Sequence, residues 1–248
     1  FGSAMNIVNI PDEWGVLRKV PTSRQNMRPT PEYYLSKFDF TTLTVDAIRT
    51  ADDQVILICP PLYNLTQNFK ITDGKSELKY KHIRLDRVDY LVVNSKDKVY
   101  FENHLKTIEI PVSQRSTKFD SMLLMATNQR DEPLSRIKEW VGYYYNVHGI
   151  RGFLFYNNLC EDHTTEELIT ILEAEYPDIV LEVLEFNISM GSRCVEWNSD
   201  YGLYVKFEHI KQKYAWCAKM LFNNDMDELL VLYDDLTIDS IYKQLIDT

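Results

Sequence analysis

The chain has 248 residues, with 27 Lys and Arg against 37 Asp and Glu, so its formal net charge is −10. Apolar residues make up 45% and charged residues 26%, which is the balance of a globular protein and excludes a disordered chain. The acidic surplus argues against a nucleic-acid-binding protein, and no apolar run approaches the roughly 18 residues that span a bilayer.

The cysteines and the first residues indicate a reducing compartment. The four cysteines are Cys59, Cys160, Cys194 and Cys217, and none stands close enough to another for a CxxC motif. We therefore expect neither a disulfide framework nor a structural zinc site. Residues 1–5 lack the charged and apolar segments of a secretory signal, and we expect them to lie outside the fold. These features predict a cytoplasmic protein.

Residues 6–115 are predicted to form a β-rich accessory domain. Segment 9–36 carries several prolines and no clear hydrophobic period, which favours an extended strap. Short apolar and β-branched runs follow, separated by turn signals such as Pro60-Pro61 and Asp73-Gly74, and they predict a small antiparallel sandwich. The predicted strands are 54–59, 78–85, 88–93, 99–102 and 105–112.

Residues 116–248 are predicted to form a second, α/β domain, because apolar strand-like runs alternate with helical patterns. The predicted strands are 121–127, 152–156, 179–184 and 218–222. The first helix has Pro133 at its start and Gly149 at its end, and the second begins with a capping box of Thr164 and Glu167. This βαβαβαβ order predicts a mostly parallel sheet flanked by helices.

Two further helices and a last strand complete the prediction. Asn198 or Ser199 is placed to cap the third helix, whose apolar face is predicted from its helical spacing to carry Leu203, Phe207 and Ile210. After the fourth strand we expect a strand at 229–232 and a helix at 238–246.

Three loops are predicted to form the binding site. Ligands of open parallel sheets bind beyond the carboxyl ends of the strands. This rule selects the loops 128–132, 157–163 and 223–228, which follow the first, second and fourth predicted strands.

The loop with the clearest chemistry contains Asp225-Met226-Asp227-Glu228. Alternate carboxylates at the end of an extended strand would converge on one hard cation, such as Mg²⁺ or Mn²⁺, together with phosphate oxygens. The alternative is an ordinary acidic turn in an acidic chain.

The other two loops carry polar side chains at strand ends. Residues 128–133 lead into the N-terminus of a helix, a place that favours an anion or a polar base, although Asp131 and Glu132 would serve equally as helix caps. Asn157 and Asn158 would hydrogen-bond a base or a ribose, but an Asn-Asn pair is also common in turns.

Taken together, these loops resemble a known family. The run NQRDEPLSRIKEWVGYYYNVHGIRGFLFYNN, followed later by WCAKMLFNNDMDELLVL, is similar to the GT-A fold glycosyltransferases of family 92 and related bacterial family 2-like glycosyltransferases. The shared features are a polar loop ending in Glu132, the Glu139-Trp140 pair, a strand ending in Tyr156-Asn157-Asn158, and the later Asp-x-Asp-Glu motif. The resemblance covers roughly residues 120–235, and Asn157 stands where these relatives usually carry Asp.

The resemblance implies transfer of a hexose from a nucleotide sugar, typically a UDP-sugar, to a glycan acceptor. Thr127, Asn128 and Glu132 would then lie near the base, and Asn157 or Asn158 near the uridine. Asp225 would face the ribose or the sugar, and Asp225 and Asp227 would hold Mn²⁺ or Mg²⁺, with Glu228 supporting them.

The same resemblance implies an acceptor site and a catalytic base after the Asp-x-Asp motif. Only residues 228–248 follow that motif, so we expect an incomplete acceptor half and name no base. A non-catalytic binding or scaffold module of the same fold is therefore the main alternative. A nucleotidyltransferase is disfavoured, because the loop 128–133 has one Arg and no Gly with which to grip phosphates.

Overall fold

The structure is a computed structural model that describes residues 3–20, 32–191, 201–233 and 236–247. The chain divides into two compact units, and neither is continuous in sequence. The sandwich unit comprises Met5–Arg115 and Ile188–Lys213. The parallel-sheet unit comprises Phe1–Ala4, Ser116–Asn187 and Tyr214–Thr248. The sequence-based division placed residues 188–213 in the second domain, whereas their contacts group them with the sandwich.

The described residues contain five helices: α1 Glu32–Lys37, α2 Leu134–His148, α3 Thr165–Glu175, α4 Tyr201–Lys213 and α5 Ile238–Ile246. The strands of the sandwich unit are β2 Val8–Asn9, β3 Thr42–Thr44, β4 Asp46–Ala51, β5 Gln54–Cys59, β6 Lys70–Thr72, β7 Tyr80–Arg84, β8 Asp89–Asn94, β9 Val99–Glu102, β10 Thr107–Ile110 and β11 Val112–Gln114. The strands of the parallel-sheet unit are β1 Ser3–Ala4, β12 Leu123–Gln129, β13 Gly152–Asn157, β14 Val180–Glu185 and β15 Met220–Asn223.

Two sheets enclose the core of the sandwich unit. The larger has the order β11-β4-β5-β8-β7 and is antiparallel except for the β11–β4 pair, and the smaller, β10-β9-β6, is antiparallel throughout. Leu57 of the first sheet and Phe101 of the second are both fully buried in one cluster. The strands at 54–59 and 99–102 occur as predicted, whereas the predicted strand 105–112 is divided into β10 and β11.

Strands β3 and β4 were not predicted, because Asp46 and Arg49 interrupt the apolar alternation that would mark them. Part of the predicted strap, residues 21–31, lies outside the described residues. Its described parts are not extended throughout, since they include a 3₁₀ turn at Asp12–Trp14 and most of α1.

Helix α4 packs on β4 and β5 through a face that the sequence analysis predicted only in part. Its buried residues are Tyr201, Gly202, Val205, Lys206, His209 and Ile210. Leu203 and Phe207, expected on the buried face, are only half-buried. Ile210 is buried as predicted, but Lys206 and His209 also occupy buried positions, so the apolar pattern identified only part of the buried face. The predicted caps, Asn198 and Ser199, lie outside the described residues.

The parallel-sheet unit confirms the predicted parallel sheet. Its order is β1-β14-β13-β12-β15, and every neighbouring pair is parallel. The chain as a whole is not mostly parallel, because both sheets of the sandwich unit are largely antiparallel. Strand β1 also shows that Ser3 and Ala4, which were expected to lie outside the fold, pair with β14.

Local capping signals position the helices of this unit. Gly149 ends α2 with φ 67°, a left-handed conformation that favours glycine. Thr164 and Glu167 form the predicted capping box of α3, and α5 has the predicted bounds. The expected strand at 229–232 does not form.

A buried cluster of charged and polar side chains connects α4 to strand β4 of the sandwich unit. The fully buried carboxylate of Asp46 on β4 accepts a hydrogen bond from Lys213 Nζ at 2.9 Å and lies 3.0 Å from His209 Nε2. Ser113 Oγ lies 3.1 Å from both carboxylate oxygens. Burial by itself raises the pKa of Asp46, but the hydrogen bond and charge of His209 and the charge of Lys213 outweigh it and lower the pKa to about 2.

We predict that Asp46→Asn lowers the free energy of unfolding by about 3 kcal/mol, because it leaves the Lys213 ammonium and the buried His209 ring without their carboxylate partner. The exposed Asp52→Asn is the control and should change it by less than about 0.5 kcal/mol. Urea denaturation followed by circular dichroism measures both, and equal effects would show that the cluster does not stabilise the unit.

The same variant should differ from wild type in its pH dependence. A carboxyl whose folded pKa is depressed contributes stability that is present above its unfolded pKa of roughly 3.9 and is lost as the pH falls through the folded value. We therefore expect the difference between wild type and Asp46→Asn to be constant at neutral pH and to shrink between about pH 4 and pH 2.

Candidate functional site

The three predicted binding loops begin at one edge of the parallel sheet. Gln129 at the end of β12 pairs with Asn157 at the end of β13, and Ala126 of β12 pairs with Asn223 at the end of β15. Counted along this unit from β12 to β15, the strands lie in the order 3-2-1-4. The order reverses between β12 and β15, and such a switch point is where parallel sheets bind ligands.

The acidic motif after β15 is a reverse turn and not an extended strand end. Glu228 N donates to Asp225 O at 3.0 Å, and Asp225 N donates to Glu228 Oε2 at 3.0 Å. Met226 is buried in the core, while Asp225 and Asp227 are exposed on either side of it. The expected convergence of alternate carboxylates along a strand is therefore replaced by a turn that presents both carboxylates to solvent.

Helix α2 holds this turn in place. Trp140, from the Glu-Trp pair, donates from Nε1 to Asp225 O at 3.1 Å. Tyr144 Oη donates to Glu228 O at 3.0 Å and accepts from Leu230 N at 3.1 Å. Because α2 side chains satisfy these backbone groups, no partner strand is needed, which explains the absence of a strand at 229–232.

The end of β12 carries two unpaired hydrogen-bond acceptors. Thr127 is buried, and among the described residues neither Asn128 Oδ1 nor Gln129 Oε1, both shielded from solvent, has a hydrogen-bond partner. Buried polar atoms without partners are rare and call for an explanation, such as a bound water or ligand donor. Gln129 was not predicted as a site residue, because the apolar run ends before it and conceals the true length of the strand.

Both Asn residues at the end of β13 are used within the fold. Asn157 Oδ1 accepts from Gln129 Nε2, and its Nδ2 lies 3.4 Å from Thr165 Oγ1. Asn158 donates from Nδ2 to Phe186 O at 2.7 Å. These side chains are buried and shape the edge of the sheet.

Asp131 joins the first two loops. Its Oδ1 accepts from the backbone N–H of Glu161 at 2.7 Å and of Asp162 at 3.3 Å, and these hydrogen bonds lower the pKa of Asp131. Its φ of 53° is left-handed. The interpretation of Asp131 and Glu132 as helix caps is wrong, because the N-terminus of α2 has no side-chain cap. Glu132 instead pairs with Arg136 at 2.9 Å.

A pocket of about 290 Å³ lies between α2 and the acidic turn, with Arg136, Glu139 and Trp140 on one side and Asp227 on the other. Within the described part of the chain, no group of three or more His, Cys, Asp or Glu is placed to hold a metal ion. Two exposed carboxylates would leave most coordination positions to phosphate oxygens and water. That donor set suits Mg²⁺ or Mn²⁺, which commonly bind through one or two carboxylates together with substrate phosphates.

The chain matches no protein-family model and has no significant match among curated proteins. Across the described segments, no helix has the length and apolar character needed to cross a membrane. The functional assignment therefore depends on the residues and geometry of the chain itself.

We predict that Trp140→Phe, which keeps a ring but loses the N–H donor, lowers the free energy of unfolding by about 1–2 kcal/mol and loosens the acidic turn. The half-exposed Trp216, which donates to Ser116 O at 3.0 Å, provides the control Trp216→Phe. Hydrogen exchange at the Glu228 amide should accelerate by roughly tenfold in Trp140→Phe alone. Unchanged exchange there would mean that Trp140 does not hold the turn.

Proposed function

We propose that the parallel-sheet unit binds a nucleotide sugar, with UDP-sugars as the donor class, and that the protein transfers a hexose to a glycan acceptor as a metal-dependent GT-A glycosyltransferase. The observation that carries the proposal is the placement of the Asp225–Glu228 turn. It begins two residues after the end of β15, beside the switch point of a parallel sheet, where a diphosphate would lie within reach of both the turn and the end of β12.

The ends of β12 and β13 would form the nucleoside side of the site. Thr127, Asn128 and Glu132 would lie near the base, and Asn128 Oδ1, which has no hydrogen-bond partner among the described residues, would accept from an N–H of the base. Asn157 and Asn158 would form part of the wall of the uridine pocket and would not hydrogen-bond the uridine through their amide N–H groups, because these groups already donate within the fold.

The acidic turn would form the diphosphate side. Asp225 would face the ribose or the sugar, and Asp225 and Asp227 would ligate Mn²⁺ or Mg²⁺. The ion would supply Lewis-acid stabilisation of the leaving diphosphate. Trp140 and Glu228 would fix the conformation of the turn through their hydrogen bonds to Asp225, so that the carboxylates of Asp225 and Asp227 are preorganised for the metal ion and the diphosphate.

A second candidate is a binding module of the same fold without catalysis. It is favoured by the commitment of the Asn157 and Asn158 amides to internal hydrogen bonds, and we name no catalytic base for the transfer. The two candidates differ in one measurable product, because only the transferase would release UDP from a UDP-hexose during long incubation with Mn²⁺.

We predict that UDP and Mn²⁺ together raise the melting temperature and that Asp227→Asn weakens metal-dependent UDP binding by at least about tenfold. The loss is expected because the variant removes one of two anionic ligands. Asp120→Asn is the matched control, since Asp120 is exposed in the same unit and lies outside the three loops.

Isothermal titration with UDP, at fixed Mn²⁺ and again with chelator, measures this effect. A Mn²⁺-dependent affinity that persists undiminished in Asp227→Asn would overturn the metal assignment. No binding of UDP by the wild-type protein would overturn the nucleotide-sugar site as a whole.

A further inference from the structure

Strand β7 forms one edge of the larger sheet of the sandwich unit. It pairs with β8 on one side, and with residues Tyr80–Arg84 it is the longest edge strand in the part of the chain that the structure describes. An edge strand leaves one row of backbone N–H and C=O groups outside the ladder, and proteins commonly protect that row with a bulge or a proline. β7 has no proline, and its register with β8 is regular throughout. Its outer side is therefore able to accept a further strand.

The hairpin between β7 and β8 shows which backbone groups face outward. Leu85 N donates to Val88 O at 2.9 Å, so the backbone groups of Leu85 point towards β8. Hydrogen-bonded and non-hydrogen-bonded pairs alternate along an antiparallel ladder. The N–H and C=O groups of His82 and Arg84 therefore point away from β8 and towards the outer side.

The fold already places a strand next to the beginning of this outer side. Leu78, which shares the alternation of His82 and Arg84, donates its N–H to Ile71 O of β6 at 2.8 Å. A strand added beside His82 and Arg84 would thus extend a type of pairing that the segment leading into β7 makes with β6.

The outer side of β7 also carries positive charge. Residues 75–87 contain five Lys and Arg but two Asp and Glu, in a chain whose net charge is −10. Lys79, Lys81 and Arg84 are exposed, and their side chains have no hydrogen bond or ion pair with any residue that the structure describes. Cations on an edge strand disfavour pairing with strands of like charge and favour carboxylates directly opposite. The charge of β7 therefore selects an acidic partner.

The acidic side chains nearest to Arg84 are engaged elsewhere. Asp89 is opposite Arg84 in the register, but its carboxylate is buried and accepts from Leu62 N at 2.9 Å. The Asp86 side chain is 81% exposed, and its Oδ2 lies 3.5 Å from Arg87 Nε. An added strand would therefore supply the carboxylate that meets the Arg84 guanidinium.

The positive side chains lie on both faces of the sheet edge. Successive residues of a strand point to opposite faces, so Lys81 is on one face and Arg84 is on the other. Ile83, which is half-buried, shares the face of Lys81 and offers an apolar contact there. A matching strand would carry acidic side chains on both of its faces together with an apolar residue.

From this edge and its charges we propose that β7 binds an acidic, extended peptide segment of a partner protein, which adds to the larger sheet as a sixth strand. The backbone of His82 and Arg84 makes hydrogen bonds to the peptide backbone, while Lys81 and Arg84 pair with its carboxylates. In strand addition of this kind, main-chain hydrogen bonds give affinity and side chains give specificity. The surface is independent of the nucleotide-sugar site, because it is built from residues of the sandwich unit alone.

The test is a titration of the full chain into a fluorescein-labelled octapeptide of Asp, Glu, Val and Thr, followed by fluorescence anisotropy. A peptide with Asn and Gln in place of Asp and Glu should bind about tenfold more weakly, because it lacks the charged cross-strand pairs. Two further peptides carry N-methyl groups on alternate residues, in the two possible patterns. One pattern should weaken binding by at least about tenfold and the other by much less, because only alternate N–H groups of an added strand face β7.

The protein variant is Lys81→Gln with Arg84→Gln, which should weaken the acidic peptide by about tenfold. The matched control is Lys19→Gln with Lys96→Gln, which removes the same charge from exposed positions of the same unit outside β7 and should leave the affinity unchanged.

Four outcomes would each overturn the proposal: no binding of the acidic peptide, equal binding of the neutral peptide, equal effects of the two methylation patterns, or equal weakening by the two double variants. Equal effects of the methylation patterns would identify a site for polyanions in general, which needs no strand pairing.

Discussion

The parallel pairing of β12 with β13 on one side and with β15 on the other is the constraint on which the proposed site depends. Because parallel strands end at a common edge, this pairing brings together loops that lie far apart in sequence. It also separates the roles of the loops, since the end of β12 offers hydrogen-bond acceptors and the end of β15 offers carboxylates. A sheet with β15 in another position would carry the same residues without joining them.

The acidic turn then depends on α2, and not on the strand that precedes it. Strand β15 ends at Asn223, and the following backbone is positioned by side-chain donors from Trp140 and Tyr144. The Tyr and Trp residues of α2 thus combine two tasks, since their rings fill the core while their polar atoms hold the turn. This dual use explains why an irregular segment can lie on the helix without a sheet partner.

The sequence predicted those features that local chemistry decides. The bounds of α5 and the capping box of α3 depend on residues a few positions apart, and both were predicted. Of the buried face of α4 only Ile210 was predicted, because Lys206 and His209 break the apolar pattern and only the contact with the sandwich makes their burial possible. The acidic residues were identified, but their turn geometry depends on Trp140, which lies 85 positions away. The internal bonding of Asn157 and Asn158 was equally beyond a local pattern.

The placement of α4 has a consequence for how the chain can be divided. The connection from β14 to β15 passes through the sandwich unit, so the chain crosses between the units four times, after residues 4, 115, 187 and 213. A fragment that begins at residue 116 would therefore carry α4 with Tyr201, Val205 and Ile210 stripped of their packing. When α4 is docked on the sandwich unit, part of this connection is already fixed. The flexible segment that must close when β15 pairs with β12 is therefore shorter, and its entropic cost is smaller. Strand β15, which leads to the acidic turn, is thus connected to a helix that the other unit stabilises. A truncation of the chain between the sandwich strands and the parallel strands would therefore not separate the two compact units.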